Sequence, residues 1–250
     1  MKWLIGTSGW SYNHWREVFY PKGLKNKDWL SFYARTFSTV EVNSSFYHMP
    51  RETTMDSWRD NSPDHFVFAL KMNRLVTHRR KLQGVTTLLK QFFDRARRLE
   101  EKLGVILHQL PPSMKKDLPL LSSYLELLPR EMKHAVEFRH ESWSDEETFD
   151  LLRSRGMAYC IVSSPSLKAH VRATASFAYI RMHGEGGWYA SCYSDRELQD
   201  WSKHVVRLAS EGCNGYVYFN NDYAGYAVQN AMTIRRHLSH RSRRHILSVA

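Results

Sequence analysis

Short apolar runs alternate along the chain with longer stretches in which apolar residues recur every three to four positions. The short runs predict β-strands and the longer stretches predict helices, because these are the side-chain periods of the two structures. Eight strands are predicted, near residues 3–8, 39–45, 66–72, 105–110, 135–139, 158–163, 177–183 and 216–221. A helix pattern lies between most of these strands.

The clearest helix pattern covers residues 85–103, and Gly104 stands where a glycine often ends a helix. Two further helices are predicted to begin with a capping box, in which a serine is followed three residues later by a glutamate. These boxes are Ser144 with Glu147 and Ser194 with Glu197.

Repeated strand–helix units predict a parallel sheet with right-handed crossovers. Eight units in about 250 residues fit a TIM-like (β/α)8 barrel better than an open doubly wound sheet. The first strand leads into residues 6–9, Gly-Thr-Ser-Gly, which is not the dinucleotide-binding fingerprint. Residues 164–176 are too few and too polar for a full helix with its loops, so the barrel is expected to be irregular there. One barrel domain is predicted over 1–238, with a basic, disordered tail over 239–250.

Polar residues interrupt the predicted strands near their C-terminal ends. Alternate positions share one face of a strand, and three strands carry such a pair: Glu41 with Asn43, Glu137 with Arg139, and Arg181 with His183. Three other strands end in Lys71, in Gln109, and in Asn220, Asn221 and Asp222. Parallel barrel strands all point the same way, so these side chains are predicted to meet at the rim where active sites of such barrels lie. We call this predicted site the polar cup.

The residue types of the polar cup suit a small anionic, oxygen-rich molecule. The candidates for catalysis are Glu41, Lys71, Glu137 and His183. The candidates for substrate binding are Asn43, His78, Gln109, Arg139, His140, Trp143, Arg181, Tyr193, Asn220, Asn221 and Asp222. Guanidinium groups bind carboxylate or phosphate through two hydrogen bonds, and neighbouring cations lower the pKa of a glutamate so that it acts as a base.

The same polar residues also allow a structural interpretation. Buried charge is costly unless it is paired, so glutamate–arginine pairs below the rim would explain any single one of these positions. Five or six such residues at corresponding strand ends favour a ligand site over a set of isolated ion pairs.

The chain is basic, with 36 Lys+Arg against 25 Asp+Glu and a net charge of +11. Residues 235–250 contain five arginines and no acidic residue, so this end carries +5. Such a tail can contact nucleic acid or anionic lipid, although a solvated terminus has the same composition. Together with the basic run at 79–81 and the many aromatic residues, it makes nucleic-acid binding or processing an alternative function.

Several other classes of protein are disfavoured by the sequence. No apolar run approaches the ~18 residues of a membrane span, and the N-terminus lacks the apolar segment of a signal peptide. A cytoplasmic protein without membrane contact is therefore expected. Three widely spaced cysteines without a C-x-x-C motif do not form a disulfide framework. The oligomeric state is not indicated.

No metal ion and no cofactor are expected. The polar cup contains four metal-binding side chains, those of Glu41, Glu137, His183 and Asp222. Its cationic residues share their space and would repel a divalent ion. Lys71 leaves one further chemistry open, because a lysine with a lowered pKa is a nucleophile that can form a Schiff base.

Several motifs are similar to those of one known family. They are Gly6-Thr7-Ser8-Gly9-Trp10-Ser11-Tyr12, Val40-Glu41-Val42-Asn43-Ser44-Ser45-Phe46-Tyr47, Glu137-Phe138-Arg139-His140, Arg181-Met182-His183-Gly184 and Tyr218-Phe219-Asn220-Asn221-Asp222. The chain resembles the YecE-like proteins, the domain-of-unknown-function 72 family, over about residues 3–238. The resemblance implies a TIM-like barrel and brings no assigned function. One departure is His108, where family members usually have an apolar aromatic residue.

The leading hypothesis is an enzyme that moves protons on a small phosphorylated or carboxylated molecule, as isomerases, lyases and hydrolases do. The alternatives are a nucleic-acid-binding or nucleic-acid-processing protein and a barrel that binds a ligand without turnover.

Overall fold

The computed structural model describes residues 1–187, 189–242 and 248–249. Within these residues the chain forms eight strands, each predicted by the apolar pattern to within a few residues, and a short ninth strand. The strands are β1 Lys2–Ser8, β2 Thr39–Val42, β3 Val67–Lys71, β4 Leu103–Gln109, β5 Lys133–Glu137, β6 Ala158–Ser163, β7 Phe177–Met182, β8 Asn214–Phe219 and β9 Ser248–Val249.

The strands form one parallel sheet in the order β2-β3-β4-β5-β6-β7-β8-β1. The two ends of this sheet meet where Thr7 pairs with Val40 and Ser8 pairs with Glu41. Because that pairing involves two residues on each strand, the barrel is nearly closed. The predicted TIM-like (β/α)8 barrel is therefore confirmed. Strand β9 pairs in parallel with Lys2 and Trp3, at the beginning of β1.

Helices follow most of the strands. Within the described residues, the α-helices are α1 Trp29–Tyr33, α2 Ser44–Tyr47, α3 Glu52–Asp60, α4 Thr86–Ala96, α5 Leu118–Glu126, α6 Glu146–Ser154, α7 Asp195–Ser210 and α8 Tyr226–Ser242. Short 3-10 helices lie at Asn13–Trp15, Asn26–Asp28, Arg97–Lys102, Glu141–Trp143 and Tyr223–Gly225, and a π-helical turn lies at Leu75–Arg79.

The single helix predicted over 85–103 is wrong in its second half. Helix α4 ends at Ala96, and a 3-10 segment follows in which Glu100 has a positive φ of 53°. Gly104 does not end a helix. It lies in β4, where an added Cβ would stand 2.5 Å from Val67 Cγ1 and 3.2 Å from the Phe68 carbonyl oxygen. The close approach of β3 and β4 explains this glycine.

One of the two predicted helix caps is confirmed. Ser194 and Glu197 form a reciprocal capping box at the start of α7. At the start of α6, however, the N-cap is Asp145, whose carboxylate accepts from the Thr148 backbone N–H, so the box predicted at Ser144 is wrong. An ionised carboxylate is a strong acceptor for this hydrogen bond. Its negative charge is also stabilised by the positive N-terminal end of the helix dipole.

The strands separate two apolar layers. The inner layer fills the barrel with residues such as Ala69 and Tyr179, and the outer layer, with Leu70 and Ile180, packs against the helices. Successive side chains point to opposite faces of a strand. The residues two positions after Ala69 in β3 and after Tyr179 in β7 therefore also face the barrel interior, nearer its C-terminal end. Those positions are Lys71 and Arg181.

The connection between β6 and β7 contains no helix, so the irregularity predicted for residues 164–176 is confirmed. The tail predicted from residue 239 begins inside α8, which runs to Ser242. The prediction of disorder falls largely on residues 243–247 and 250, which lie outside the described residues. Across the described part of the chain, no helix has the length and apolar character needed to cross a bilayer.

Candidate active site

Four buried charges meet at the C-terminal end of the barrel, and we call them the charged cluster. They are Glu41 at the end of β2, Glu137 and Arg139 at and just after the end of β5, and Arg181 in β7. These four side chains project from the inward faces of the strand ends, and they are almost fully removed from solvent.

Arg181 joins the two carboxylates of the charged cluster. Its Nη2 donates to Glu41 Oε1 at 2.7 Å, and its Nη1 donates to Glu137 Oε2 at 2.7 Å. The Arg181 side chain is 1% exposed, so its guanidinium lies beneath the rim and not at it. Although burial alone would lower the pKa of Arg181, the carboxylates of Glu137 and Glu41 hold it well above the ordinary value, so the guanidinium stays charged.

Glu137 is held by several donors besides Arg181. Arg139 Nε donates to Glu137 Oε1, and Gln109 Nε2 donates to the same oxygen at 2.8 Å. Although burial alone would raise the pKa of Glu137, the guanidinium groups of Arg139 and Arg181 hold it well below the ordinary value. Glu137 is therefore an ionised structural anion across the physiological pH range.

Two partners of Glu41 were missed by the sequence analysis. Ser8 Oγ donates to Glu41 Oε1 at 2.6 Å, and the Tyr179 hydroxyl donates to Glu41 Oε2 at 2.7 Å. Tyr179 lies two residues before Arg181 on the same strand face, so the alternation that singled out Arg181 also points to it. Ser8 is the last residue of β1, opposite Glu41 in the seam of the barrel.

His183 is fully buried beside the charged cluster and is neutral. Burial and then the Arg181 guanidinium hold the pKa of His183 well below its ordinary value. Its Nε2 lies 3.1 Å from Arg139 Nη2 and 3.4 Å from Arg181 Nη1, so this nitrogen is the acceptor. The remaining ring nitrogen, Nδ1, carries the proton and faces the side-chain amide of Asn220 at 3.1 Å.

Lys71 lies beside the charged cluster without joining it. Among the described residues, no carboxylate oxygen comes within 4.0 Å of its Nζ. The ammonium group instead lies over the Phe46 ring, 4.1 Å from the ring centroid. Burial, and after it the charge of Arg181, lowers the pKa of Lys71 to about 7. Lys71 is therefore present both as the ammonium ion and as the neutral amine near neutral pH.

A cavity of about 1050 Å³ opens above Lys71, and we call it the large cavity. Four of the predicted site residues line it, namely Asn43, Lys71, Asn220 and Asp222. Its aromatic walls are Trp10, Tyr12, Tyr47, Trp58 and Tyr189, and further polar groups come from Ser11, Asn26, Asp28, Ser57 and Asn61. The residues from 26–28 and from α3 were missed, because they follow no strand and carry no charge pattern.

A second cavity of about 330 Å³ lies on the other side of Tyr189, which lines both. We call it the small cavity. Three predicted residues line it: His78, Gln109 and Arg139. Burial, followed by the charge of Lys71, lowers the pKa of His78 to about 4, so this imidazole is neutral at pH 7.

Five predicted binding residues line neither cavity: Arg181, which belongs to the charged cluster, and four residues of the surrounding loops. Trp143 is buried, stacks on Phe138 and donates to the Met114 carbonyl oxygen at 2.8 Å. His140 caps the 3-10 helix that contains Trp143. The Tyr193 hydroxyl accepts from the Gly184 backbone N–H at 2.8 Å, and Asn221 donates to the Ser191 carbonyl oxygen at 2.8 Å. These side chains support the loops around the site.

The described residues do not bring three His, Cys, Asp or Glu side chains together as a metal-binding group. The expectation that the protein works without a metal or cofactor stays a prediction.

Comparison with known proteins gives concordant matches. A family model described as "Protein of unknown function DUF72" matches residues 4–248. The UPF0759 protein YunF of Bacillus subtilis is 26% identical over 90% of this chain and 91% of its own length. The UPF0759 protein YecE of Escherichia coli K12 is 30% identical over 66% of this chain and 60% of its own length.

A solved structure agrees with these matches. A DUF72 family protein from Thermotoga maritima superimposes with a TM-score of 0.87 and 32% identity, covering 96% of this chain and all of that one. The family model spans nearly the whole chain, and so confirms the resemblance first indicated by the motifs. The chain therefore belongs to the DUF72 family, the YecE-like proteins of unknown function.

Proposed function

We propose that this protein is an enzyme that binds a small anionic, oxygen-rich molecule in the large cavity and transfers protons through Lys71. The observation that carries the proposal is the unpaired amine of Lys71 on the cavity floor. Within the charged cluster, two guanidinium groups balance two carboxylates. Lys71 is the cation left over among these buried groups, so a bound carboxylate or phosphate would supply its missing counter-charge.

The walls of the large cavity fit an oxygen-rich ligand. Asn43 Oδ1 is buried and has no hydrogen-bond partner among the described residues, which leaves it free to accept from a ligand hydroxyl. Aromatic rings such as Trp10 and Trp58 offer flat apolar faces beside the amides. Ligand sites commonly combine apolar walls with a few polar groups that fix orientation.

Lys71 is better suited to proton transfer than the other three catalytic candidates. Glu41 and Glu137 are fully buried and hydrogen-bonded to several donors, and His183 is held neutral with both ring nitrogens engaged. A group with a pKa near the working pH is the most effective general acid or base. We assign Glu41, Glu137, Arg181 and His183 to positioning, since they fix the electrostatic surroundings of Lys71.

The test is thermal unfolding with inorganic phosphate at constant ionic strength. Phosphate at tenfold its Kd is expected to stabilise the wild type by about 1.4 kcal/mol, or roughly 3–6 °C in Tm. Lys71→Met is expected to fold and to lose this shift. The matched control, Lys203→Met, removes an exposed lysine on α7 and should keep it. A wild type indifferent to phosphate, or a Lys71→Met variant with an unchanged shift, contradicts the proposal.

A further inference from the structure

Lys71 has the surroundings of a nucleophilic amine as well as those of a base. Its side chain leaves the inward face of β3 directly after Ala69, and it passes over the ring of Phe46. No described acid forms an ion pair with Nζ, so the amine is not held as an ammonium ion by a neighbour. At the same time Lys71 lines the large cavity, whose volume of about 1050 Å³ admits a small metabolite.

We propose that Lys71 Nζ forms a Schiff base with the carbonyl carbon of a small anionic aldehyde or ketone bound in the large cavity. This inference rests on the proposed function, because it places the substrate in the same cavity and narrows its class to carbonyl compounds. It adds a covalent step to proton transfer.

The step balances without any further reactant. The neutral amine attacks the carbonyl carbon, a C–N bond forms, and the carbonyl oxygen becomes the hydroxyl of a carbinolamine. Both amine protons then leave with that oxygen as water, so that the products are an imine and one water molecule. No oxidant or reductant is needed, and the imine withdraws electrons from the neighbouring carbon, where a C–H or C–C bond can then break.

The two carboxylates and two guanidinium groups of the charged cluster act in opposite directions on a protonated imine at Lys71 Nζ. Glu41 and Glu137 attract a positive charge at Nζ, whereas Arg139 and Arg181 repel it. Burial, and after it the charge of Arg181, keeps part of the free amine neutral, while the two carboxylates offset the repulsion that an iminium cation would meet. The pKa of about 7 for Lys71 makes about half of the amine neutral at pH 7. An ordinary lysine, with a pKa of about 10.4, is neutral in fewer than roughly one molecule in a thousand.

Asn220 supplies a second observation that points to a carbonyl. In the structure the Asn220 amide nitrogen Nδ2 lies 3.1 Å from His183 Nδ1. Because His183 Nδ1 carries the proton, we assign the opposite amide orientation, in which the Asn220 oxygen accepts from Nδ1 and the NH₂ group is left for another acceptor. Asn220 and Lys71 line the same cavity. An amide donor beside the amine is the arrangement that polarises a ligand carbonyl oxygen during attack on its carbon.

The experiment uses glyoxylate, a small anionic aldehyde, with sodium cyanoborohydride to reduce any imine to a stable amine. Peptide mass mapping of the wild-type protein at pH 7 then gives the labelled fraction of each lysine. We expect Lys71 to be labelled at least about tenfold faster than Lys27, an exposed lysine that lines the same cavity. Labelling of Lys71 should level off above roughly pH 8, one unit above its pKa of about 7, because its amine is by then mostly neutral.

Two variants and one competitor complete the test. Lys71→Met should lose the fast-labelled site, and Lys27→Met should retain it. Inorganic phosphate should slow the labelling of Lys71. The inference is overturned if Lys71 in the wild type is labelled no faster than Lys27, a result that does not depend on how any variant folds.

The two proposals can fail separately. If phosphate stabilises the protein through Lys71 but no fast label appears there, the Schiff-base inference is wrong and the acid–base proposal stands. If phosphate has no effect and Lys71 is unlabelled, both are wrong.

Discussion

Arg181 is the residue with the largest buried electrostatic role, because it lies between two carboxylates that have no access to water. From the sequence, Arg181 is, like Arg139, a candidate for binding a ligand anion. The structure instead shows its guanidinium occupied by Glu41 and Glu137, whereas Arg139 also lines the small cavity. Their contributions to stability should therefore differ.

We predict that Arg181→Met lowers the free energy of unfolding by about 3–5 kcal/mol, because it leaves two buried carboxylates short of a partner. Arg139→Met should lower the free energy of unfolding by a smaller amount, since Glu137 keeps its hydrogen bonds to Arg181 and Gln109. Urea denaturation of both variants measures the difference. A stable Arg181→Met protein that has lost only its response to phosphate would instead identify Arg181 as a ligand-binding residue.

His108 belongs to a buried chain of hydrogen bonds away from the site. His134 Nε2 donates to the Pro129 carbonyl oxygen at 2.9 Å, so its Nδ1 accepts from His108 Nε2 at 3.0 Å. His108 Nδ1 in turn accepts from the Tyr124 hydroxyl at 2.7 Å. Both imidazoles are neutral in this arrangement. Burial lowers the pKa of His134 to about 4, and burial with the neighbouring His134 lowers that of His108 well below the ordinary value.

This chain predicts a loss of stability in acid. Between about pH 6.5 and pH 4 the unfolded chain binds a proton on each histidine that the folded chain does not bind. The free energy of unfolding should therefore fall with decreasing pH by about 1.4 kcal/mol per unit for each histidine. His108→Phe should remove one such contribution, so its stability deficit relative to wild type shrinks as pH falls through this range. Parallel curves for the two proteins, from chemical denaturation at several pH values, would contradict the prediction.

At the scale of elements, the seam between β1 and β2 depends on a glycine. A Cβ added to Gly6 would lie 2.2 Å from the Thr39 carbonyl oxygen, which is backbone and cannot swing away. The same seam places Ser8 beside Glu41, so it also organises the charged cluster.

We predict that Gly6→Ala destabilises the protein by about 1–3 kcal/mol, the usual cost of overpacking. The matched control is Gly187→Ala, where nothing lies within 4 Å of the new Cβ and φ is not positive. That variant should stay within about 0.5 kcal/mol of wild type. Equal thermal stability of the two variants would show that the seam adapts freely.

The apolar pattern was sufficient to find the strands but not every helix end. Short apolar runs are a local property of the sequence, and they located all eight barrel strands. Helix α4 ends at Ala96 because the chain must then enter β4, where Gly104 lies close to β3. That contact joins residues far apart in the chain, so the pattern of neighbouring residues does not predict it.

At the scale of the whole molecule, the net charge of +11 raises the question of whether the protein binds nucleic acid. The basic runs of the chain include residues 79–81, which are exposed, and Arg241, Arg243 and Arg244 near the C-terminus. Arg235, by contrast, donates to the Thr36 carbonyl oxygen and packs against Phe37, so it is part of the fold.

We predict that changing the three C-terminal arginines to glutamine removes most of the affinity for single-stranded DNA. The slope of log affinity against log salt should fall by about 2, because each phosphate contact contributes about 0.7. The matched control changes Arg79, Arg80 and Lys81 to glutamine and should retain most of the affinity at the same salt. DNA binding that survives both changes but is lost in Lys71→Met would locate the nucleic acid in the large cavity.

The sequence by itself determined the barrel, its family and the strand ends that carry polar residues, because these follow from local periodicity and from motifs. It also supplied Glu41, Lys71, Glu137 and Arg181 as candidates. Only the tertiary structure decided their roles, since a role depends on distance and burial between residues far apart in the chain. Arg181 and Glu41 are 140 positions apart and form an ion pair, which leaves Lys71 as the unpaired cation at the floor of the cavity.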